Sequence, residues 1–430
     1  MISLTELYGL FLKSSGIATD SRNIAHGSLF FALKGDQFDG NLFTLDAIRN
    51  GAAFSVTDNP DIQPHEQILL VTDVLDTLQE LALLHRKNIR AKIIAITGSN
   101  GKTTTKELIG KVLGSFYNTL VTRGNLNNHI GVPLTLLSIR EDIDFAVVEM
   151  GANHPGEIDA LCRIARPDYG LITNIGKAHL EGFGSFEGVI RTKSELYNYL
   201  KENSGLVFYN SDNELLSNLS MEIKRKSYGM NQDAECRGEI LSNDPFLSLK
   251  WEKVPQSGIV DSALYGEYNF ENIMAAICIG LYFGVRADQI KNAIASYIPE
   301  NNRSQIIQTE KNVIISDAYN ANPSSMKAAL INFSKMKSPA KMLILGDMME
   351  LGDYSLEEHV KIVNYIRELG FEKVLLIGDW FYKAAENGKE ICFNSTNAAE
   401  AWLSRQLIAN RTILLKGSRK MQLETLRKYL

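Results

Sequence analysis

The segment KIIAITGSNGKTTTKEL, residues 92–108, constrains the fold of this chain more than any other. The apolar run from Ile93 to Ile96 predicts a buried strand, and a turn containing Gly98 and Gly101 follows it directly. The residues after Gly101 predict the start of a helix. A strand, a glycine turn and a helix in this order are typical of loops whose backbone N–H groups and helix dipole bind phosphate oxygens. The segment therefore predicts an α/β domain with a nucleotide site.

The loop also carries the side chains that a nucleotide needs. Lys102 would bring a positive charge to the β- and γ-phosphates, and the Thr103 hydroxyl would be a magnesium ligand. The standard phosphate loop has a glycine where this chain has Ile96, so GSNGKTT is a shortened variant. The alternative is an ordinary strand-to-helix turn with a solvated lysine. We predict an ATP site that consists of Gly98, Ser99, Asn100, Gly101, Lys102, Thr103 and Thr104.

Length and composition place the chain among ordinary globular proteins. Its 430 residues predict about three domains, and 45% hydrophobic with 22% charged residues is a usual balance. A net charge of −5 provides no basic stripe and argues against a nucleic-acid partner. We find no signal peptide and no run of about 18 apolar residues, so we expect no membrane span. Four scattered cysteines without CxxC pairs predict reduced thiols in a cytoplasmic protein.

The pattern of apolar segments predicts an α/β fold in three domains. The three ranges are residues 1–88, 89–300 and 301–430. The first predicts a small α/β unit with a strand at Ser28–Leu33 and a helix at Leu42–Asn50. The second alternates apolar strands with helices, which indicates a mostly parallel sheet covered on both faces, and includes an antiparallel flap near 227–260. The third has strands that end in Gly or Asp, where open α/β sheets place ligand-binding loops.

Two further side chains, Glu149 and His179, are candidates for metal chemistry. Glu149 ends the apolar strand FAVVEMG, where a buried carboxylate needs a partner such as magnesium. The alternative is a hydrogen bond to the following turn. His179, in LITNIGKAHLEGFGS, also follows a strand. It is a candidate metal ligand, and a structural role is the alternative. Lys193, in VIRTKSELY, would by itself be an ordinary surface lysine on a helix.

Amides and an acid on two other segments are candidates for nucleotide binding. Asn269 and Asn272 lie near a predicted helix N-terminus, where they would cap the helix or hold a base or ribose. Asp317, Tyr319 and Asn320 lie on a loop after a strand and before a predicted helix. Simple capping is the alternative there, but so many polar side chains on one strand-end loop favour a ligand.

Six motifs follow one another along the chain: TGSNGKTT, EMGANHPGEID, TNIGKAHLEGFGS, DAYNANPSSM, LGDMMELG and KGSR. In this set and order the chain resembles the Mur ligase family, and the resemblance covers nearly the whole chain. It includes TDSRNIAHGSLFFALKGDQFDGNLF near the N-terminus and RGNLNNHIGVPLTLL in the central part. The combination of AYNANP with LGDMMELG resembles the motifs of one branch of the family, which joins D-alanyl-D-alanine to UDP-N-acetylmuramoyl-tripeptide. The DNPR-type signature of the diaminopimelate-adding branch is absent.

The resemblance implies a fold and an activity. The fold is an N-terminal uridine-nucleotide-binding domain, a central phosphate-loop ATPase-like domain and a Rossmann-like C-terminal domain that closes over ATP. The activity is ATP-dependent ligation through an acyl phosphate, by a monomer with two magnesium ions, in cytoplasmic synthesis of peptidoglycan precursors for the cell wall. The alternatives are a sister ligase that adds a single amino acid and a phosphate-loop ATPase that is not a ligase.

The resemblance also implies metal-binding roles that spacing alone does not. Lys102 and Thr103 would bind the ATP phosphates and the first magnesium ion, with Glu149 on the same ion. His179 would hold the second ion. Lys193 matches a lysine that relatives carry as a carbamate, which would replace an ammonium by a carboxylate able to position metal.

The remaining roles concern nucleotide and substrates. Asn269 and Asn272 would contact the adenosine part, and Arg303 and Asp317 would close over the γ-phosphate and ribose. Asp20, Ser21 and Arg22 would lie near the uridine diphosphate. From the residues alone, Asn128 and His129 are candidates for the dipeptide pocket and are equally explicable as turn residues.

Overall fold

A computed structural model describes residues 1–35, 37–300, 302–338, 340–386 and 388–430. It divides the chain into two compact units. The first unit consists of Met1–Ile96, Tyr117–Ala152 and Gly156–Gly170, and the second of Thr97–Phe116, Asn153–Pro155 and Leu171–Leu430. The predicted ranges 1–88, 89–300 and 301–430 stay a prediction. Residue 301, where the third range was expected to begin, lies outside the described residues.

The helices are α1 (Leu4–Lys13), α2 (Thr44–Arg49), α3 (Val74–Asn88), α4 (Lys102–Gly114), α5 (Gly131–Leu137), α6 (Glu157–Ala165), α7 (Leu180–Phe183), α8 (Phe186–Glu202), α9 (Glu214–Leu219), α10 (Asn269–Tyr282), α11 (Ala287–Ala295), α12 (Pro323–Lys335), α13 (Ser355–Glu368), α14 (Asp379–Ala384) and α15 (Thr396–Leu403). Short 3-10 helices lie at Gly40–Phe43, Gly352–Tyr354, Arg419–Met421 and Leu423–Tyr429.

The strands are β1 (Ile17–Ala18), β2 (Leu29–Phe31), β3 (Lys34–Gly35), β4 (Phe38–Asp39), β5 (Phe54–Thr57), β6 (Ile68–Leu70), β7 (Lys92–Thr97), β8 (Thr119–Val121), β9 (Phe145–Glu149), β10 (Tyr169–Ile172), β11 (Leu206–Asn210), β12 (Lys224–Gly229), β13 (Cys236–Ser242), β14 (Ser248–Lys253), β15 (Gln256–Asp261), β16 (Gln305–Gln308), β17 (Asn312–Asp317), β18 (Lys341–Gly346), β19 (Lys373–Ile377), β20 (Ile391–Phe393) and β21 (Arg411–Lys416).

The N-terminal part of the first unit is a small parallel sheet with the order β1-β2-β5-β6. The predicted α/β character is therefore confirmed. The predicted strand at Ser28–Leu33 is observed only at Leu29–Phe31. The helix predicted at Leu42–Asn50 is divided into a 3-10 turn and α2, because the Asp39 carboxylate accepts a hydrogen bond from the Asn41 N–H and caps the tighter turn first.

The rest of the first unit contains strands β7, β9 and β8, which are neighbours in that order and pair in parallel. Strand β7 pairs with β9 from Lys92 opposite Phe145 to Ile96 opposite Glu149. All five residues of β9 are buried, as a strand covered on both faces requires. Because neighbouring parallel strands end at the same edge, Glu149 lies at the edge where β7 ends.

The second unit contains strands of both directions after β11. Strand β12 pairs in parallel with β11, and β13 pairs in parallel with β12. Strands β13, β14 and β15 then form an antiparallel meander. The antiparallel flap predicted near 227–260 is thus confirmed for these three strands but wrong at its start, where Ser227 pairs in parallel with Tyr209. Alternation of polar and apolar residues marks a half-exposed strand in either direction, so it did not distinguish them.

The C-terminal part of the second unit is a six-stranded sheet with the order β16-β17-β21-β18-β19-β20. Every pair is parallel except β16 with β17. Ile314, Ile344 and Ile413 are fully buried in its core, and each such side chain contributes about 1.5–3 kcal/mol relative to an exposed one. Strands β17, β21 and β18 are neighbours, so the loops that follow them lie together at one edge.

Two chain-wide features complete the fold. All four cysteines are free thiols, and Cys162, Cys236 and Cys278 are buried. Across the described ranges, no helix combines the length and the apolar composition that a membrane crossing requires.

Candidate functional site

Two glycines give the phosphate loop between β7 and α4 its shape. Gly98 has a φ of 141° and Gly101 a φ of 77°, which residues with a Cβ rarely adopt. A Cβ on Gly98 would clash with Oγ1 of Thr173, and one on Gly101 would lie 2.6 Å from Oδ1 of Asn272. The volume that a side chain would fill is therefore occupied by groups that pack against the loop.

Residues that follow β10 hold the loop in place. The Asn174 carbonyl accepts a hydrogen bond from the Ser99 N–H at 2.9 Å, and Asn174 Oδ1 accepts one from the Asn100 N–H at 3.0 Å. Thr173 Oγ1 donates to the Asn100 carbonyl at 2.6 Å. These bonds fix the loop before any nucleotide arrives. They were not predicted, and the signal that pointed to them was the polar run TNIG after a neighbouring strand.

Lys102 is folded back onto the loop. Its Nζ donates to the carbonyls of Gly98 at 2.7 Å and Ser99 at 3.4 Å. Helix α4 begins at Lys102 and has 13 residues, so the positive end of its dipole adjoins the loop. The side chain of Thr103 is buried and that of Thr104 half-buried. The loop backbone, the Lys102 ammonium and the two threonine hydroxyls together suit phosphate oxygens and an attached magnesium ion.

Asn269 and Asn272 support the loop from α10. Thr105 Oγ1 donates to Asn272 Oδ1 at 2.9 Å, and Asn272 Nδ2 donates to Asn269 Oδ1 at 2.8 Å. Asn269 Nδ2 in turn donates to the Tyr265 carbonyl at 2.8 Å. The N-cap residue of α10, Tyr268, makes no capping hydrogen bond through its side chain, and the hydrogen bonds of these two amides go elsewhere, so the capping interpretation is wrong. They connect α10 to the helix that carries the phosphate loop.

Glu149 lies in the first unit and is 2% exposed. Its Oε1 accepts a hydrogen bond from Asn127 Nδ2 at 2.8 Å. Its N–H donates to Thr122 Oγ1 at 2.9 Å, which fixes the end of β9. A buried carboxylate with an amide partner is oriented at little cost, which a metal ligand requires.

The N-terminal substrate candidates lie on an exposed turn of the first unit. The Arg22 guanidinium donates to both Asp20 carboxylate oxygens, at 2.9 and 2.8 Å. Hydrogen bonds from this side chain, and from the Arg22 backbone, lower the pKa of Asp20 to about 2. The Ser21 carbonyl accepts a hydrogen bond from Asn50 Nδ2 at 3.0 Å. The structure thus brings Asp20 and Arg22 together as one ion pair.

Asn128 and His129 lie in the turn before α5, also in the first unit. Asn128 Oδ1 accepts hydrogen bonds from the N–H groups of Ile130 at 3.2 Å and Gly131 at 2.9 Å. The His129 carbonyl accepts one from Gln79 Nε2 at 3.0 Å. Asn128 therefore has a structural function in this turn, as its alternative interpretation predicted.

His179 and Lys193 both approach Phe183 in the second unit. Nδ1 of His179 lies 2.6 Å from Oε2 of Glu350, and the contact lowers the pKa of the Glu350 carboxyl. His179 and Glu350 have φ angles of 52° and 65°, so both ends of the contact are in the left-handed region. Lys193 Nζ lies 5.4 Å from the Phe183 ring centroid. Its side chain is 1% exposed, so the surface-lysine interpretation is wrong.

The C-terminal candidates meet where β17 and β21 end. The Arg303 guanidinium stacks on the Tyr319 ring, 3.6 Å from its centroid. Asp317 Oδ2 lies 2.6 Å from Nζ of Lys416, and the Ser304 N–H donates to Asp317 Oδ1 at 3.4 Å. Lys416 belongs to the KGSR motif, but its contact with Asp317 was not predicted.

The loop after β17 also contacts the phosphate loop, within the second unit. Asn322 caps α12 by accepting a hydrogen bond from the Ser325 N–H at 2.9 Å. Its Nδ2 also donates to Asn100 Oδ1 at 2.8 Å. Asn320 Oδ1 accepts a hydrogen bond from the Ala321 N–H at 2.9 Å. The C-terminal part of the chain therefore lies directly on the phosphate loop.

Among the residues that the structure describes, side chains alone do not provide a complete metal site. In the part of the chain that the structure describes, no three His, Cys, Asp or Glu side chains converge in a way that could hold an ion. A magnesium ion at the phosphate loop would take part of its ligands from phosphate oxygens and water, as magnesium usually does.

Three family models match the chain. They are the Mur ligase family catalytic domain over residues 13–86, the Mur ligase middle domain over residues 96–280 and the Mur ligase glutamate ligase domain over residues 302–419.

Curated relatives are similar over most of their length. The UDP-N-acetylmuramoyl-tripeptide–D-alanyl-D-alanine ligase of Bacillus subtilis (strain 168) is 40% identical over 348 residues, which cover 80% of this chain and 75% of the relative. The ligase of the same name from Escherichia coli (strain K12) is 36% identical over 430 residues, which cover 97% and 94%.

Solved structures agree with these relatives. A crystal structure of MurF from Acinetobacter baumannii is 33% identical with a TM-score of 0.87, and the match covers 96% of this chain and 92% of that one. MurF ligase from Thermotoga maritima, in complex with ADP, is 26% identical with a TM-score of 0.85, and the match covers 98% and 97%. Sequence, fold and the matched domains agree, and the chain belongs to the Mur ligase family.

Proposed function

We propose that this protein joins D-alanyl-D-alanine to UDP-N-acetylmuramoyl-tripeptide in an ATP-dependent reaction, as a step of peptidoglycan precursor synthesis in the cytoplasm. The observation that carries the proposal is the phosphate loop, on which the C-terminal loop lies through the hydrogen bond of Asn322 with Asn100. The similar curated proteins are named for this ligase activity. The fold of a nucleotide-dependent ligase and the residues for nucleotide binding occur in one molecule.

The residues present fit ATP and magnesium. Gly98 and Gly101 have the positive φ angles that shape the loop, and the Lys102 ammonium lies on the loop, where its Nζ donates to the Gly98 carbonyl. We propose that the loop from Gly98 to Thr104 holds the phosphates and that Thr103 is a magnesium ligand. Glu149 is likewise proposed as a magnesium ligand. A bound magnesium ion would neutralise phosphate charge and so reduce the repulsion between ATP and the substrate carboxylate. His179 is the proposed ligand of a second ion.

The carboxylate of the tripeptide is a poor acyl donor because its oxygen is a poor leaving group. Transfer of the γ-phosphoryl group of ATP to that carboxylate gives an acyl phosphate and ADP. The amine of D-alanyl-D-alanine then attacks the carbonyl carbon and loses a proton, and phosphate leaves. In such a reaction the protein mainly positions the reactants, neutralises charge and excludes water, since the acyl phosphate hydrolyses readily.

The C-terminal loops would provide the remaining nucleotide contacts. We assign Arg303 and Asp317 to the γ-phosphate and ribose, with Tyr319 and Asn320 on the same loop. Asn269 and Asn272 would act on the adenosine part through the helix they hold.

The substrates would bind in the first unit. The exposed turn at Asp20, Ser21 and Arg22 is the proposed contact for the uridine diphosphate. Its arginine would exchange a carboxylate partner for a phosphate. Asn128 and His129 remain proposals for the dipeptide.

Lys193 is proposed to act as a carbamate. A buried ammonium is costly, and addition of CO2 to the neutral amine, with loss of a proton, converts it into a carboxylate. Such a group near His179 would help to position metal.

The decisive experiment measures phosphate release from ATP by the purified protein with magnesium and UDP-N-acetylmuramoyl-tripeptide. D-alanyl-D-alanine and single amino acids are compared as acceptors, and the product mass is determined. We expect release that depends on the dipeptide and a pentapeptide product. Release with a single amino acid would favour a sister ligase, and ATP hydrolysis without any acceptor would favour an ATPase that is not a ligase. Light scattering after size exclusion tests the expected monomer.

A further inference from the structure

Lys416 is a buried lysine at the end of β21. Its side chain is 2% exposed, and its residue lies opposite Asp317 in the parallel pairing of β17 with β21. Nζ lies 2.6 Å from Asp317 Oδ2 and donates to the Asn320 carbonyl at 3.4 Å. One ammonium group therefore holds both a carboxylate and the backbone of the loop that follows it.

The loop that Lys416 holds carries two other contacts. Tyr319 lies between Asp317 and Asn320 in the chain and stacks on Arg303. Asn322, two residues after Asn320, donates to Asn100 of the phosphate loop. Lys416 therefore holds the start of the segment that leads to Asn322.

A buried ion pair of this kind is expensive. Desolvation of both charges offsets most of their attraction, so well-packed apolar residues would stabilise the fold equally well. An ion pair at the carboxyl edge of an open α/β sheet, where such sheets bind ligands, is better explained by the orientation it imposes. The Asp317 carboxylate is held at one oxygen by Lys416 and at the other by the Ser304 N–H, next to Arg303.

We propose that Lys416 is a positioning residue for nucleotide binding: it orients the Asp317 carboxylate and the 317–322 loop toward the nucleotide on the phosphate loop. This inference rests on the proposed function, because it assigns Asp317 to the nucleotide. Lys416 itself, being buried, acts through Asp317 and the loop.

The test compares Lys416→Met and Lys416→Arg with the wild type in the full-length protein. Lys416→Met removes the charge with little change in volume, and Lys416→Arg retains the charge with a different shape. Lys373→Met is the matched control. Lys373 is the first residue of β19 and so lies at the amino ends of the strands, whereas Lys416 lies at the carboxyl end of its strand. ADP affinity is measured by calorimetry, the KM for ATP and kcat by phosphate release, and folding by thermal unfolding.

We expect Lys416→Met to weaken ADP binding by roughly tenfold or more, which corresponds to at least about 1.4 kcal/mol. The KM for ATP should rise by a similar factor with a smaller change in kcat, because binding rather than chemistry is lost. Lys416→Arg should unfold close to the wild-type temperature and still bind ADP more weakly. Lys373→Met should bind ADP as the wild type does.

Wild-type ADP affinity in a folded Lys416→Met variant would overturn the proposal. If Lys416→Met does not fold, Lys416→Arg decides: weakened ADP binding supports positioning, and unchanged binding assigns Lys416 to stability alone. The ligase reaction is not needed for this readout. A wild type that binds ADP but does not ligate the dipeptide refutes the proposed function only, and a wild type that does not bind ADP refutes both.

Discussion

At the scale of single residues, the site depends on a missing Cβ at Gly101. Its φ of 77° and the position of Asn272 leave no space for a side chain. Asn272 cannot simply move away, because its amide is hydrogen-bonded to both Thr105 and Asn269. The glycine therefore links the shape of the phosphate loop to the packing of α10.

We predict that Gly101→Ala weakens ADP binding by more than roughly tenfold. The left-handed conformation alone costs a residue with a Cβ about 1–2 kcal/mol, and the contact with Asn272 adds to it. Calorimetry of ADP binding checks this. Gly114→Ala, at the end of the same helix with open space around the new Cβ, is the control and should bind ADP normally. Equal affinity in both variants would show that the loop tolerates the methyl group.

Lys193 is the second residue whose chemistry depends on its surroundings. We predict that Lys193→Ala nearly abolishes ligation and that added acetate or formate restores part of it, since a small carboxylate would replace the carbamate. Intact-mass spectrometry of the wild type should show an adduct of one CO2. Lys201→Ala, on the exposed side of the same helix, should leave turnover unchanged. Unimpaired activity of Lys193→Ala would argue against the carbamate.

At the scale of elements, α13 holds the LGDMMELG loop through one histidine. His359 is fully buried, its Nε2 accepts a hydrogen bond from the Met348 N–H at 3.0 Å, and its Nδ1 lies 2.6 Å from the Ser355 carbonyl. Burial lowers the pKa of His359 from its ordinary 6.5 to about 4. The neutral imidazole is thus part of the folded structure.

This gives a prediction for stability against pH. Between pH 6.5 and about 4 the unfolded chain binds a proton at His359 that the folded chain does not. The free energy of unfolding should therefore fall as the pH drops through this window, by about 3 kcal/mol from this group. Urea unfolding at pH 7 and pH 4.5 measures the effect. His359→Gln should lose this part of the pH dependence while being less stable at pH 7.

The control for this prediction is His65→Gln, because His65 is exposed in the first unit. It should retain the wild-type dependence on pH. If His359→Gln retained it as well, other groups would be responsible for the acid sensitivity.

At the scale of the whole molecule, segments far apart in sequence meet within the second unit. Lys177 Nζ lies 2.9 Å from Glu358 Oε1, and the Lys177 N–H donates to Ser324 Oγ at 3.2 Å. Together with the contact of His179 with Glu350, these bonds join the segment after β10 to the C-terminal part of the chain. That segment also holds the phosphate loop, so it connects both sides of the proposed nucleotide site.

We predict that Lys177→Glu loosens this connection and lowers turnover. The side chain of Glu358 is 6% exposed, so a second negative charge beside it is unfavourable. Because the side chain of residue 177 is partly exposed and water screens its charge, we expect a cost of about 1–2 kcal/mol. Hydrogen-exchange mass spectrometry should show faster exchange in 173–181 and 347–361. Lys361→Glu is the control. It also removes a partner of Glu358, but Lys361 and Glu358 belong to the same helix, so this change breaks no contact with the segment after β10. Equal exchange in both variants would refute a specific role for Lys177.

Local patterns predicted the elements well where they are long and regular. Strand β7, the glycine turn and the start of α4 were expected, and so were the helix near Asn269 and C-terminal strands that end in Gly or Asp. The short edge strands β16 and β20 and helix α11 were not. Edge strands of three or four residues carry too few apolar positions to show a period, so their pairing partners define them.

The candidate site was predictable in part for the same reason. Residues within one motif, such as Lys102 and Thr103, are placed by the helix that begins beside them. Lys193 shows the limit, because its helix was expected but its burial depends on residues from other segments that pack over it. Lys416 stands out in the sequence only as part of the KGSR motif, since nothing local indicates that it pairs with Asp317.

By itself the sequence determined the α/β class, the phosphate loop and the family, because glycine conformation, apolar periodicity and the order of motifs are local properties of the chain. The tertiary structure decided which groups hold one another: Asn174 on the loop backbone, Glu350 on His179, and Lys416 on Asp317. Each of these contacts joins residues far apart in the chain. Their pairing depends on strand order and on the packing of helices over the sheets, which no local pattern specifies.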